Sequence, residues 1–355
     1  MWFFINFIFI FTLVLFASYL LLGYFSIKRL RNYTKRNSYT DYNSVGISPL
    51  SPSVSIISPA YNEEKNIVNN AKTLLNLHYQ NFEVIIVNDG SKDNTFNYLV
   101  ESFELEKVNY FFEYKIPTQK VRGIYKSKNP SYHKLLVIDK VNGGKADAIN
   151  SGINLCRNEL VMSIDADSII EPDSITKLVK PFLEEKKKKV IGTGGVVRIL
   201  NSCEVKDGVV KAINLPQKFL PKWQALEYTR AFLLGRMAWS QLDGLMIISG
   251  AMGMFDRETM IKSGGYDTQC VGEDMEIVLR MRRYMAEQKK EYEVTYIPDP
   301  LCWTEVPSDL KSLQSQRTRW TRGLMDALRK HSTIFLNKSY GKLGMLGYPF
   351  WLFFE

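Results

Sequence analysis

Two aspartates separated by one residue, Asp165 and Asp167, follow the apolar run Leu160 to Ile164. If that run is a β-strand, its two-residue period lets both carboxylates point to one side. Two hard oxygen donors then converge, a partial shell of the kind that Mg²⁺ or Mn²⁺ completes with water and phosphate oxygens. The stretch Gly143-Gly144-Lys145-Ala146-Asp147-Ala148-Ile149-Asn150 sets two flexible residues before a helix start with a lysine in its first turn. Backbone amides and a cation would meet an anion there. Gly272-Glu273-Asp274 opens a helix whose apolar stripe is Met275, Val278, Leu279, Met281 and Met285. Capping alone accounts for acids at that position, yet adjacent carboxylates repel, which raises the pKa of one and makes it a usable general base. In Gln316-Arg317-Thr318-Arg319-Trp320, the residues Gln316, Arg319 and Trp320 are three or four apart and share one face of a helix. A guanidinium can pair with phosphate oxygens and an indole offers a flat apolar surface to a sugar ring or a base. A basic helix lying on anionic lipid is the other reading, and both can hold at once.

These residues need a scaffold, and the sequence supplies one by alternation. Val54 to Ser58 is a short β-rich run, and Glu63 to Leu77 then carries Ile67, Leu74 and Leu77 at helical spacing. The pattern recurs with Glu83 to Val87 before Asp93 to Glu104, and with Leu160 to Ile164 before Asp173 to Glu184. Mostly apolar strands are buried on both faces, so an α/β domain with a mostly parallel central sheet is expected. Ligands of such sheets bind beyond the carboxyl ends of the strands. The polar loops Pro59-Ala60-Tyr61-Asn62-Glu63, Asn88-Asp89-Gly90-Ser91 and Asp165-Ala166-Asp167 all fall there. Turn and capping chemistry would explain any one of them. Three at one edge point to a site.

With 355 residues, 45 % of them hydrophobic and 23 % charged, the chain has material for one large core plus attachments. The net charge of +9 comes from Lys and Arg that concentrate near the two apolar ends, which suits a membrane surface rather than nucleic acid. Met1 to Ile27 has no charged residue and is long enough to span as a helix. A cleaved signal peptide would want a basic start and a shorter apolar region. Lys28, Arg29, Arg31, Lys35 and Arg36 follow, so the positive-inside rule puts the bulk of the chain in the cytoplasm. The expected layout is a transmembrane helix (1–27), a basic juxtamembrane linker (28–52), a catalytic domain (53–305), amphipathic interface helices (306–341) and the start of a second membrane segment (342–355), an apolar run that either lies in the interface or belongs to a fragment of a longer membrane protein. Cys156, Cys203, Cys270 and Cys302 form no Cys-x-x-Cys pair, and His78, His133 and His331 show no metal-ligand spacing. Reduced thiols are expected, and a zinc site or a His-based dyad is not.

In order and spacing, PAYNE, NDGS, GGKADAIN, DAD, GED and QRTRW resemble the signatures of family 2 glycosyltransferases, above all the membrane-embedded processive branch of cellulose, chitin, hyaluronan and poly-N-acetylglucosamine synthases. The resemblance covers roughly Ser53 to Gly323 and implies a GT-A-type nucleotide-sugar-binding domain. It implies that Ala60, Tyr61, Glu63 and Asp89 line a uridine pocket, that Lys145 lies beside the nucleotide, that Asp165 holds the nucleotide sugar, and that Asp167 holds the metal. Asp274 is implied as the base with Glu273 beside it, and Gln316, Arg319 and Trp320 as holding the diphosphate and the acceptor end. Ser249, Gly250 and Ala251 would form the acceptor side of the cleft. Gly272 departs from the threonine common in the family. The expected function is an inverting, metal-dependent hexosyltransferase taking UDP-N-acetylglucosamine or UDP-glucose to a glycan acceptor at the membrane, with room for accessory membrane subunits. A non-processive lipid-linked sugar transferase and a sugar-phosphate nucleotidyltransferase are the alternatives; the latter would want a Gly- and Arg-rich first loop, which PAYNE is not.

Overall fold

A computed structural model describes residues 2–206 and 208–355. The uncharged start of the chain forms helix α1 (Trp2–Asn37), the one helix among the described residues long and apolar enough to cross a membrane. It does not stop where the charges begin. It runs through the basic stretch, and a short α2 (Tyr42–Ile47) follows within the residues expected to be a linker. The reason is tertiary: Arg29 donates to the Thr295 hydroxyl and Tyr33 to the Asp299 carboxylate, so the basic extension is fastened to the globular body.

The alternation then appears as β1 (Val54–Ala60), α3 (Ile67–Leu75), β2 (Phe82–Asn88), α4 (Thr95–Phe103), β3 (Leu105–Val108), β4 (Val121–Ser127), β5 (Leu135–Lys140), α5 (Lys145–Leu155) and β6 (Leu160–Ile164). Strands β5, β2, β1 and β6 are parallel neighbours at the centre of the sheet. All five residues of β6 are buried and β1 and β2 nearly so, which is why they read as apolar runs without alternation. Helix α5 sits so close to β1 that a Cβ on Gly152 would lie 2.6 Å from Ile57 Cγ2.

The second half adds β7 (Ile169–Ile170), α6 (Ser174–Leu183), β8 (Lys189–Ile199), the hairpin β9 (Glu204–Lys206) and β10 (Val209–Ala212), α7 (Phe219–Thr229), a π-helical turn (Arg230–Arg236), α8 (Met237–Gln241), β11 (Met252–Asp256), α9 (Arg257–Lys262), α10 (Glu273–Glu287) and β12 (Tyr292–Thr304). Strand β11 is antiparallel between β6 and β8, and β12 runs parallel to β8. The ten-stranded order is β3-β4-β5-β2-β1-β6-β11-β8-β12-β7. Inserting β11 beside β6 brings a second loop to the edge where the first half ends its strands. Helix α11 (Leu310–Lys330) then packs on α10, and α12 (Tyr348–Phe354) returns to the first helix, with Phe354 stacked on Phe11 and Phe350 against Trp239.

All four cysteines are free; Cys156, Cys270 and Cys302 are buried and Cys203 is half-buried. Thiol reagents therefore report sidedness at Cys203 alone, since the others are shielded on either side of a membrane. If the catalytic domain faces the cytoplasm, a membrane-impermeant maleimide should label Cys203 in lysed cells and leave it unlabelled in sealed ones.

Candidate active site

Each polar loop at the carboxyl edge is tied to its neighbour. Asp89 N–H donates to the Ala60 carbonyl, Asn62 N–H to Ser91 Oγ at 3.0 Å and Glu63 N–H to Thr95 Oγ1 at 2.8 Å, which zips the loop after β1 to the loop after β2. Ala60 is buried, whereas the Tyr61 ring is exposed and able to meet a ligand. Burial, then the nearby Asp167 charge, raises the Glu63 carboxyl above its usual range.

Asp89 is not on that surface. It is 3 % exposed, and its oxygens accept from Lys140 Nζ at 2.6 Å, Gly143 N–H at 3.0 Å and Gly144 N–H at 2.8 Å. The two glycine amides do meet an anion, as their position before a helix suggests, but the anion is the protein's own carboxylate. Lys140, fully buried, also pairs with Asp147 at 2.5 Å. Glycine is required at both positions: a Cβ on Gly143 would lie 2.5 Å from the Asp147 carboxyl carbon, and Gly144 has φ +87°. The buried pairing of Lys140 with Asp147 escaped the sequence reading, in which Lys140 only ends the apolar run of β5 and Asp147 only follows Lys145 in the helix.

Released from that anchor, α5 begins with Lys145, whose ammonium lies 2.6 Å from Asp165, 3.1 Å from Glu273 and 3.3 Å from the Gly250 carbonyl. Burial opposes its charge, but Asp165 and Glu273 hold it well above the ordinary lysine value. Asp165 is raised by burial even so, against the pull of Lys145. Its N–H donates to the Ala251 carbonyl, because Ile164 pairs with Met252 and the loops leaving β6 and entering β11 run side by side. Asp165 and Asp167 do not share a strand face. The strand ends at Ile164 and a turn closes when Ser168 N–H donates to the Asp165 carbonyl, leaving Asp165 half-buried beside Lys145 and Asp167 exposed.

The acids of α10 enter from the other side. Burial and the adjacent Glu273 push Asp274 up to about 6, and a Cβ on Gly250 would sit 3.1 Å from Asp274 Oδ2. Arg236, which ends the π-helical turn and stacks on Phe232 at 4.0 Å, is the nearby cation that sequence reasoning missed. Gly272 explains its own departure from threonine: a Cβ there would lie 2.6 Å from the Gly323 carbonyl of α11. Gly272→Thr should therefore cost about 1–3 kcal/mol of stability by overpacking, measured as thermal unfolding of the detergent-solubilised chain, and should push α11 off the start of α10.

Helix α11 divides its conspicuous residues. Arg319 lines a cavity of about 460 Å³ with Lys311, Arg322 and Val271, while Arg317 pairs with Glu227 at 2.6 Å and stacks on Trp320 at 4.4 Å. Gln316 keeps a buried, unpartnered Oε1. No hydrogen bond or ion pair among the described residues joins Gln316, Arg319 or Trp320 to the carboxylates near Lys145; α10 and α11 meet instead at the Gly272–Gly323 contact and through Met275 and Leu279 packed with Leu324, Ala327 and Leu328.

Among the described residues no three acidic, His or Cys side chains are gathered into a ready cation site. The donor set nonetheless fits a hard divalent ion that draws the rest of its shell from water and phosphate. Asp167 is exposed and takes part in no ion pair among the described residues, while Glu63 and Asp165 add negative charge around it.

The model of a family described as "Glycosyltransferase like family 2" matches residues 52–323. A poly-beta-1,6-N-acetyl-D-glucosamine synthase of Staphylococcus epidermidis is 28 % identical over 271 residues, covering 76 % of this chain and 54 % of its own. The synthase of the same name from Staphylococcus aureus strain COL is 29 % identical over 273 residues, again with 76 % and 54 % covered. The chain spans about half the length of the curated relatives it matches. A mannosyltransferase from Pyrobaculum calidifontis, solved with GDP-Man and Mn²⁺, superposes with a TM-score of 0.58 at 18 % identity, over 96 % of this chain and 82 % of that one. That likeness bears on the fold, which is the expected GT-A type.

Proposed function

This chain belongs to glycosyltransferase-like family 2, and from that premise we propose that it is an inverting, metal-dependent transferase moving a hexose or N-acetylhexosamine from a UDP-sugar to a growing polysaccharide at the cytoplasmic face of a membrane. The observation that carries the reading is the meeting of Lys145, Asp165, Glu273 and Asp274 around Gly250. Four separate segments place there a cation, a carboxylate for the donor and a carboxylate basic enough to take a proton.

In this reading Tyr61 and Glu63 line the nucleotide side, with Asp89 holding the Gly143-Gly144 loop from behind. Lys145 exchanges part of its contact with Asp165 and Glu273 for the donor's anionic groups. A divalent cation held by Asp167, with Asp165 beside it, would supply neutralising charge to the diphosphate leaving group. Asp274 accepts the proton of the acceptor hydroxyl as that oxygen attacks the anomeric carbon opposite the leaving group, which inverts the configuration there. Ser249, Gly250 and Ala251 shape the acceptor side, and Arg319 with its basic neighbours faces the anionic product. Gln316 and Trp320 hold the acceptor end. The names of the relatives favour UDP-N-acetylglucosamine as donor, ahead of UDP-glucose.

The test is UDP release by the full chain in membranes, offered a panel of UDP-sugars with an oligosaccharide acceptor. UDP-N-acetylglucosamine should give the highest rate, EDTA should abolish it, and Mg²⁺ or Mn²⁺ should restore it. Full release in EDTA would remove the metal from the reading. Release from none of the panel would remove the donor class.

A further inference from the structure

Asn150 follows Lys145 on α5, and its side chain is 1 % exposed with both halves of the amide in use. Its Oδ1 accepts from the Tyr266 N–H at 2.8 Å and its Nδ2 donates to the Tyr266 carbonyl at 2.8 Å, so the amide pairs with one residue's backbone as a neighbouring strand would. The fit is tight: Gly265 has φ +70°, and a Cβ there would lie 2.7 Å from Asn150 Oδ1 and 2.6 Å from Ile116 Cδ1. Ile116 is itself fixed to α5, because Asn154 accepts from its N–H at 2.9 Å and donates to its carbonyl at 2.8 Å. Stability alone would explain a buried, satisfied amide. The backbone that Asn150 grips, however, belongs to the segment that carries the base.

Residues 263–272 connect α9 to α10 and deliver Glu273 and Asp274 to the cleft. This loop is anchored along its length. Asn150 holds Tyr266 near its start, Arg280 at 3.2 Å and Lys330 hold the Asp267 carboxylate, and Gly272 packs on Gly323 at its end. The anchors at Asp267 and Gly272 come from α10 and α11, on the acceptor side of the cleft. The anchor at Tyr266 comes from α5, on the donor side. Tyr266 adds a second tie to that side, its hydroxyl lying 3.2 Å from Ser163 Oγ on β6, just before Asp165.

We propose that Asn150 is a positioning residue: by holding Tyr266 against α5 it sets the distance between Asp274 and the donor, a role that rests on the reading of Asp274 as the base and of Lys145 and Asp165 as donor residues. The two sides meet closely, with Lys145 Nζ 3.1 Å from Glu273 and 3.3 Å from the Gly250 carbonyl. A base must come within about 2.6–3.2 Å of the group whose proton it takes, and a misplacement of about 1 Å can cost on the order of 10²-fold in rate. Lys145 and Asp165 lie on the α5 and β6 side of the contact, so the donor keeps these ligands when the loop shifts. Loss of the Asn150 amide therefore acts on turnover through Asp274.

A double-mutant cycle on the full chain tests it, with sugar transfer measured in membranes and UDP affinity by calorimetry in detergent for Asn150→Ala, Asp274→Asn and the pair. Asn150→Ala should lower kcat by about 10- to 10²-fold with UDP affinity within about threefold of the wild type. In the Asp274→Asn background the same change should cost less than about threefold, since no base is left to misplace. Losses that multiply in full would overturn the positioning role, leaving Asn150 a stabilising amide and the base as assigned. A wild-type kcat in Asn150→Ala would overturn it as well. Unchanged transfer in Asp274→Asn alone would remove the base, and its positioning with it. Should Asn150→Ala fail to bind UDP, Asn150→Ser, whose hydroxyl offers a donor and an acceptor in a smaller volume, goes through the same cycle and is judged by the same outcomes.

Discussion

Asp274→Asn should lower sugar transfer by on the order of 10²–10⁴, the usual worth of general acid–base catalysis, while UDP-sugar affinity stays within a few-fold. The substitution keeps the size of the side chain and its place at the first turn of α10 but removes the basic oxygen. In the proposed reading the donor is bound by other groups, Lys145 and Asp165 among them, which are 2.6 Å apart and keep their ion pair when Asp274 is neutral. The pH profile of the wild type sharpens the test. Burial and Glu273 put the Asp274 pKa at about 6, so the carboxylate is ionised above that value and carries a proton below it. Transfer should fall as pH drops through about 6, approaching tenfold per unit, with UDP binding little changed across the same range. Calorimetric titration of UDP and single-turnover kinetics separate the two quantities. Loss of nucleotide binding in Asp274→Asn with turnover preserved would make Asp274 a donor ligand and leave the base unassigned.

The residues of this site were readable because they fall where strands stop, and strand ends are visible as breaks in apolar runs. Asp165 after Ile164 and Asp89 after Asn88 stand at such breaks, and the acids before Met275 open the helix that its apolar stripe reveals. What each then does is set by partners far away in sequence, and there the reading diverged. Asp89 faces inward because Lys140, 51 residues on, supplies a buried counter-charge. The Asp165 and Asp167 side chains part because Ser168 turns the chain, a local event that strand periodicity does not contain. Residues 28–52 read as a linker because the extension of α1 into them is held by Thr295 and Asp299 on β12 rather than by an apolar stripe of its own.

Lys140→Met should be the most damaging single change to stability, at about 3–5 kcal/mol, the cost of removing one partner from a buried ion pair. The Lys140 side chain is fully buried, and its ammonium is held by Asp89 at 2.6 Å, Asp147 at 2.5 Å and the Val141 carbonyl at 2.7 Å. Methionine fills nearly the same volume, so the loss is electrostatic: two carboxylates with side chains 4 % and 7 % exposed would face each other without a cation. Water would have to enter or one carboxylate would have to take up a proton. Either event loosens the Gly143 and Gly144 amides from Asp89, and with them the start of α5 and the position of Lys145. The thermal midpoint of the detergent-solubilised chain should drop by several degrees, and UDP affinity should fall together with it. Adding Asp89→Asn to Lys140→Met removes one of the stranded charges and should recover part of the lost stability without restoring nucleotide affinity, because Asn offers one acceptor oxygen where the Gly143 and Gly144 N–H groups bind two separate ones. Lys145→Met is the contrast: it leaves the Asp89–Lys140–Asp147 triad intact, so donor affinity should fall by more than the stability does. An unchanged midpoint in Lys140→Met would show that this buried triad does not hold the loop, and the assignment of Asp89 to the inner side of the site would then fail.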